Sequence, residues 1–236
     1  MAPSNPRGEA PKDKRGKKKP EPIEPPFARL CLITPPAFDP VAFAPVLDAA
    51  LRAGEVASLI IAAEGLEPQA RRTAAERLVP IVQANGTAAV VTDRALLGHC
   101  GADGLHVDTG LADLRRAVDA LRPDRIVGGG GIHTRHDAML LAETECDYLF
   151  FGRFDGDTAP AIHDKTLDLA AWWSALFEIP AIVMGGSDLA SIAEAAAARI
   201  EFIALRSAIW THADGAAAAV ETAHRLVLAA QAETLP

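Results

Sequence analysis

The sequence predicts a closed (β/α)8 barrel, a TIM barrel, and three observations carry that expectation. From Ala28 onward, short β-rich apolar bursts alternate with longer runs of helical period. The bursts are apolar on successive residues, as strands covered by helices on both faces are. Eight such units fit within the 210 residues of 27–236, the span of a single barrel of this kind. A doubly wound open sheet is the rival architecture.

Taken in order, the first strand is "ARLCLIT" (28–34), followed by the helical run "PVAFAPVLDAALRAG". "VASLIIA" (56–62) precedes "PQARRTAAERLVPIVQANG", and "AAVVT" (88–92) precedes "DRALLGHCG". "GLHVD" (104–108) leads to "LADLRRAVDALRPD", and "RIVGGGG" (125–131) to "TRHDAMLLAETEC". "YLFFG" (148–152) is followed by "LDLAAWWSALFE", "AIVMGG" (181–186) by "DLASIAEAAAARI", and "FIALRSAI" (202–209) by "GAAAAVETAHRLVLAA". Asp93, Thr134 and Asp188 are of the residue types that cap helix N-termini. An acid stands just before three of the bursts, at Asp103, Asp147 and Glu201. Those positions lie at the N-terminal ends of strands, where a turn or capping role outweighs contact with substrate.

Residues 1–26 differ in kind. They carry seven Lys/Arg against four Asp/Glu and seven prolines, and are read as a disordered basic tail. The single barrel domain would then be 27–236, with sixteen basic against 27 acidic residues and a net charge of −11. That balance argues against broad nucleic-acid binding. Apolar runs are too short to span a membrane. Three scattered cysteines, without C-x-x-C spacing, suggest neither a disulfide framework nor a zinc site and fit a reducing cytoplasm.

In such barrels chemistry sits at the C-terminal ends of the strands. "MGGSD" and "LRSAI" end the seventh and eighth strands on small residues. Gly185, Gly186, Ser207 and Ala208 are therefore candidates to hold a phosphate on backbone N–H groups, or else simply allow tight turns. The run "IVGGGGIHT" brings the backbone close to something or confers flexibility, and His133 beyond it is either a base or donor or a helix cap. His106 reads as a core histidine. Asp93 and Asp113 on neighbouring tips can hold Mg²⁺ with waters and a diphosphate, the rival roles being helix capping and surface polarity. Lys165 is the one lysine of the body and a candidate anion contact.

The runs "VVTDRALLGHCGADGLHVD", "VGGGGIHTRHDAMLLAETECDYLFFG" and "IPAIVMGGSDLASIAEAAAARIEFIALRSAI" resemble thiamine phosphate synthase and its relative, the thiazole tautomerase, over residues 28–212. Family patterns are close to "I-N-D-…-G-A-D-G-V-H-L-G-Q-x-D", "G-x-S-x-H-…-G-A-D-Y-x-x-x-G" and "I-P-V-x-A-I-G-G-I-…-V-S-A-I". The resemblance implies a cytoplasmic transferase of thiamine biosynthesis. It would join a hydroxymethylpyrimidine diphosphate to a thiazole phosphate with loss of diphosphate, aided by Mg²⁺. By position, Asp93 and Asp113 match the Mg²⁺ carboxylates, and Gly185, Gly186, Ser207 and Ala208 match the thiazole-phosphate contacts. Lys165, His133 and Arg153 are the candidate catalytic groups; Arg153 stands where the tautomerase has a His. The family's second strand ends "Q-x-R-x-K", which here is Ile60, Ala62 and Glu64, and the serine of "G-x-S" is Gly131. These departures predict weak or lost synthase turnover. The alternatives are a non-catalytic binder of a phosphorylated ligand and another barrel enzyme on a small phosphorylated substrate. A homo-oligomer is compatible with either.

Overall fold

The computed structural model describes residues 27–234, so the tail expected at 1–26 lies outside it. Eight strands form a closed ring in chain order: β1 (Arg29–Ile33), β2 (Ser58–Ile61), β3 (Ala88–Val91), β4 (Gly104–Val107), β5 (Ile126–Ile132), β6 (Tyr148–Phe151), β7 (Ala181–Met184) and β8 (Phe202–Leu205). All eight pairings are parallel, and β8 closes onto β1 through Arg29–Phe202 to Leu32–Leu205. The helices are α1 (Pro40–Arg52), α2 (Pro68–Ala84), α3 (Arg94–Cys100), α4 (Leu111–Leu121), α5 (Arg135–Ala142), α6 (Asp164–Ser174), α7 (Ser191–Ala197), α8 (Ser207–Trp210) and α9 (Ala216–Thr234). The eight expected strands are all present, and the fold is the TIM barrel.

Two details differ from expectation. The burst read as one strand at 202–209 divides, because Ser207–Trp210 turns into a four-residue helix. Asp188 does not cap α7, which begins three residues later. Its Oδ1 accepts the Ala190 N–H at 2.8 Å and shapes the preceding turn, while Leu189 drops into the core at 7 % exposure. The caps at Asp93 and Thr134 are as expected: Asp93 accepts from Ala95 N, and Thr134 and Asp137 form a reciprocal capping box.

The acids before alternate strands share one task. Asp103 accepts the Ala89 N–H at 2.8 Å, Asp147 the Val127 N–H at 2.8 Å, and Glu201 the Ala181 N–H at 3.1 Å. Each acid thus satisfies a donor near the start of the preceding strand, one that would otherwise stay buried and unpaired. This stitching lies at the N-terminal end of the ring.

One apolar core fills the space between strands and helices. A second fills the barrel itself, from Cys31 and Ile33 through Ile60, Val90, Tyr148 and Phe150 to Ile182 and Met184. The glycine run of β5 exists for this packing. A Cβ on Gly128 would lie 1.9 Å from the Tyr148 ring, and one on Gly130 2.7 Å from His106 Nε2. A Cβ on Gly129, between them, would lie 2.7 Å from Leu114 of α4. The backbone comes close, but to the protein's own side chains. Gly131 turns the chain away with φ +74°.

Candidate functional site

The C-terminal ends of the strands carry three adjoining cavities. The one over the barrel mouth, about 510 Å³, is lined by Glu64, His106, Asp108, His133, Phe150 and Phe154, among others. His106 is 2 % exposed and its Nδ1 lies 3.1 Å from the Tyr148 hydroxyl. Burial pushes its pKa down to about 4, against a smaller upward pull from Asp108, so it is a neutral imidazole at ordinary pH. This is the core histidine expected. Its ring also stacks against Tyr148 and meets Phe150 and Phe154 at 5.5 and 5.2 Å between centroids.

Sequence reasoning missed the residue that organises this mouth. Arg206 ends β8 and is only 5 % exposed. Its Nε donates to the Thr34 carbonyl at 2.8 Å and its Nη1 to the Phe154 carbonyl at 3.1 Å. Its Nη2 pairs with the Glu64 carboxylate at 2.7 Å. One guanidinium thereby ties the tips of β1, β2, β6 and β8 together. Glu64, the charge-reversed position of the second tip, is the counter-ion of an arginine two strands away, across β1. The available signal was an arginine inside the apolar burst "FIALRSAI".

His133, Arg153 and Lys165 line a second cavity of about 410 Å³ between the ends of β5 and β6 and the start of α6. The structure brings all three together. Lys165 sits in the first turn of α6 rather than in the loop before it. Arg153 is held by Asp155 through two bonds, Nε–Oδ1 at 2.9 Å and Nη2–Oδ2 at 2.6 Å. The cap of α5 is Thr134, and the backbone N–H of His133 donates to Asp137 at 3.0 Å, leaving the imidazole uncommitted to capping. Partial burial opposes ionisation of Asp137. The N–H groups of His133 and Thr134 and the Thr134 hydroxyl outweigh it and hold the carboxyl below its usual range.

The corners at the ends of β7 and β8 are covered by the loop from Gly152 to His163. Ser207 N–H donates to the Asp157 carboxylate at 2.8 Å, and Ser187 N–H to the Ala159 carbonyl at 2.8 Å. A Cβ on Gly186 would fall 2.0 Å from the Pro160 carbonyl oxygen, and Ile162 N–H is taken by Glu194 at 3.0 Å. Gly185 N–H continues the sheet to Ala204. Ser207 therefore presents its amide to a carboxylate from its own chain, Ala208 follows it in α8, and none of these four residues lines the three cavities.

The third cavity, about 370 Å³, lies between the tips of β3 and β4 and holds Asp93, Asp108 and Asp113 together. Asp93 spends one oxygen on its helix cap, and Asp113 pairs with Arg116 on an exposed face. Among the described residues no group of three His, Cys, Asp or Glu is placed to hold a metal by itself. Cys31 and Cys146 are buried, which pushes each thiol up to about 11 and makes these two poor nucleophiles. No helix among the described residues is long and apolar enough to cross a membrane.

A closed parallel barrel with polar cavities gathered at its C-terminal face defines the class, a TIM barrel. Residues 30–209 match the family model of thiamine monophosphate synthase. The thiamine-phosphate synthase of Rhodospirillum centenum is 38% identical over 205 residues, covering 84% of this chain and 97% of that protein. That of Hyphomonas neptunium is 33% identical over 208 residues, covering 85% and 94%. Among solved structures, thiamine phosphate pyrophosphorylase from Pyrococcus furiosus superposes with a TM-score of 0.69 at 19% identity, over 86% of this chain and 96% of that one. 3-Hexulose-6-phosphate synthase follows the same fold at a TM-score of 0.64 and 18% identity, over 84% and 99%. The chain belongs to the thiamine monophosphate synthase family.

Proposed function

We propose that this chain binds a phosphorylated pyrimidine or thiazole at the C-terminal face of its barrel and retains a slow thiamine phosphate synthase activity. The observation that carries the reading, given the family, is the convergence of Asp93 and Asp113 on one cleft beside the barrel mouth. Hard carboxylate oxygens suit Mg²⁺ shared with waters and a diphosphate, and each aspartate keeps an oxygen beyond its present bond. When bound there, the ion would neutralise charge on the departing diphosphate. His133, Arg153 and Lys165 would contact the anionic parts of the ligands from the neighbouring cavity. The aromatic mouth of His106, Phe150 and Phe154 would seat a flat ring and exclude water from it.

The slowness follows from the second tip. Ile60, Ala62 and Glu64 offer no donor to a diphosphate. Each missing contact to a charged group costs ~1.5–3 kcal/mol, and ~1.4 kcal/mol is a decade of rate. Purified protein with both synthase substrates and Mg²⁺ should therefore turn over at least about two orders of magnitude below a relative that has the full second-tip set. A rate equal to that relative's would refute the weakened-synthase reading.

The absence of a side-chain donor at Ile60, Ala62 and Glu64 equally supports a second reading, a ligand-binding paralogue without turnover. Stabilisation by the thiazole phosphate in a thermal-shift assay, with no product over long incubation, would decide for it. Stabilisation is read against the ~2.7 kcal/mol that a ligand gives at 100 times its dissociation constant.

A further inference from the structure

Among the described residues three buried side-chain polar atoms lack a hydrogen-bond partner, and two of them, Arg206 Nη2 and Ser207 Oγ, belong to consecutive residues at the end of β8. Nη2 meets Glu64 at 2.7 Å as an ion pair, but off the hydrogen-bond line. Buried polar groups are nearly always satisfied, so two left short at one place mark a strained or movable arrangement. The same two residues fasten one stretch of chain, 153–157. Gly156 N–H donates to the Arg153 carbonyl at 2.9 Å and closes a turn there. Arg206 Nη1 holds the Phe154 carbonyl at 3.1 Å, and Ser207 N–H holds the Asp157 carboxylate at 2.8 Å. Between these fastenings the Phe154 ring lies 5.2 Å from the rings of both Phe150 and His106 and packs on the apolar filling of the barrel.

The β2 side of the fastening is strained too. Ala63 takes φ +46°, a conformation its Cβ disfavours. Thr34 Oγ1 holds it there, accepting the Ala62 and Ala63 N–H groups at 3.1 and 3.3 Å, and the next residue is Glu64. The turn itself has glycines near both ends, Gly152 at φ +104° and Gly156, suited to absorb a change of backbone angle. We propose that residues 153–157 are a strap across the barrel mouth, latched by Arg206 and Ser207, and that its release gives molecules in the mouth access to His106. Arg206 is a positioning residue in this device: it acts through Phe154 and Glu64. With the strap closed, His106 is 2 % exposed. With it open, the Phe154 ring leaves and the imidazole faces the cavity of about 510 Å³. The inference rests on the proposed function only in taking the mouth as the ligand's place; the strap opens and closes without a ligand.

Two probes of the full chain test it, on the wild type, Glu64→Gln and Asp157→Asn. Asp157 lines none of the three cavities, so its variant loosens the strap without altering their walls. The first probe is tryptic cleavage of the Arg153–Phe154 bond, which tracks the open population. It should quicken about tenfold or more in each variant, since each loses a bond to a charged group, while cleavage after Arg225 of α9 stays unchanged. The second is acylation of His106 by diethyl pyrocarbonate, followed by peptide mass spectrometry. It should be slow in the wild type beside that of exposed His136, and about tenfold or more faster in both variants. Unaltered His106 acylation in Asp157→Asn overturns the strap, as does an equal rise in cleavage after Arg225, which would mean general loosening. A turnover assay with both synthase substrates separates the two claims. Faster acylation in the variants with no turnover by the wild type leaves the strap and defeats the synthase. Turnover with unaltered acylation leaves the synthase and defeats the strap.

Discussion

His106 shows how one buried side chain gives the whole molecule a pH dependence. Its folded pKa of about 4 lies below the ordinary 6.5 because burial disfavours the cation. In the unfolded chain it takes a proton near pH 6.5, while the folded chain resists until about pH 4. The unfolded state therefore holds more protons in that window, and stability falls as pH drops through it. The expected loss from this residue is about 3 kcal/mol between pH 7 and pH 4. Denaturant melts at several pH values should show it, and His106→Gln should flatten that part of the curve. Gly128 leaves no room for a side chain. Gly128→Ala drives a methyl into the Tyr148 ring and should cost about 3 kcal/mol or abolish folding, with part of the loss recovered in the Gly128→Ala/Tyr148→Leu double variant. Neither fact was written locally in the chain. "GGGG" announces close approach or freedom, but the ring it accommodates lies twenty residues away, so its meaning waited on the register of β5 against β6.

At the scale of elements, the strands and most helices were legible because each is a short, self-contained pattern. Apolar runs of four or five residues, caps such as Asp93 and Thr134, and eight-fold alternation suffice to imply the ring. What was not legible are connections whose partners are far apart in sequence. The β6–α6 loop looked like an open tip. In fact Asp157, Ala159 and Ile162 bind it to Ser207, Ser187 and Glu194. Asp157→Ala should remove a charge-assisted bond worth about 1.5–3 kcal/mol at most, raise protease cleavage within 153–162, and increase affinity for the thiazole phosphate by freeing Ser207 N–H. Limited proteolysis and thermal shift would measure these, and an unchanged cleavage pattern would count against the tether. The acids at the opposite end make a simpler prediction. Asp103→Ala and Asp147→Ala each leave a strand N–H unpaired and should each lower stability by about 1–3 kcal/mol, read from denaturant midpoints at constant slope.

Across the whole molecule, the family was legible from the order of its motifs, while the arrangement of charge at the mouth was not. The family pattern pairs Glu64 with a lysine at the second tip, but nothing near Glu64 in the chain points to Arg206, 142 residues later. Once the ring closes, the two meet. Arg206→Met should cost about 3 kcal/mol, since it strips donors from the Thr34 and Phe154 carbonyls together with the Glu64 ion pair. Glu64→Gln should cost less, because Glu64 is 46% exposed and water can solvate what remains. The clasp also constrains the paths along which this sequence can change. A lysine at position 64 alone would set two cations face to face, with the guanidinium side of the pair cut off from water. A valine at 206 alone would leave the Thr34 and Phe154 carbonyls and the Glu64 carboxylate without their shared donor. Each of these changes is harmful without the other, so the two positions can change together only in one step or through a neutral residue at 64. That coupling makes positions 64 and 206 a single unit of change at the barrel mouth.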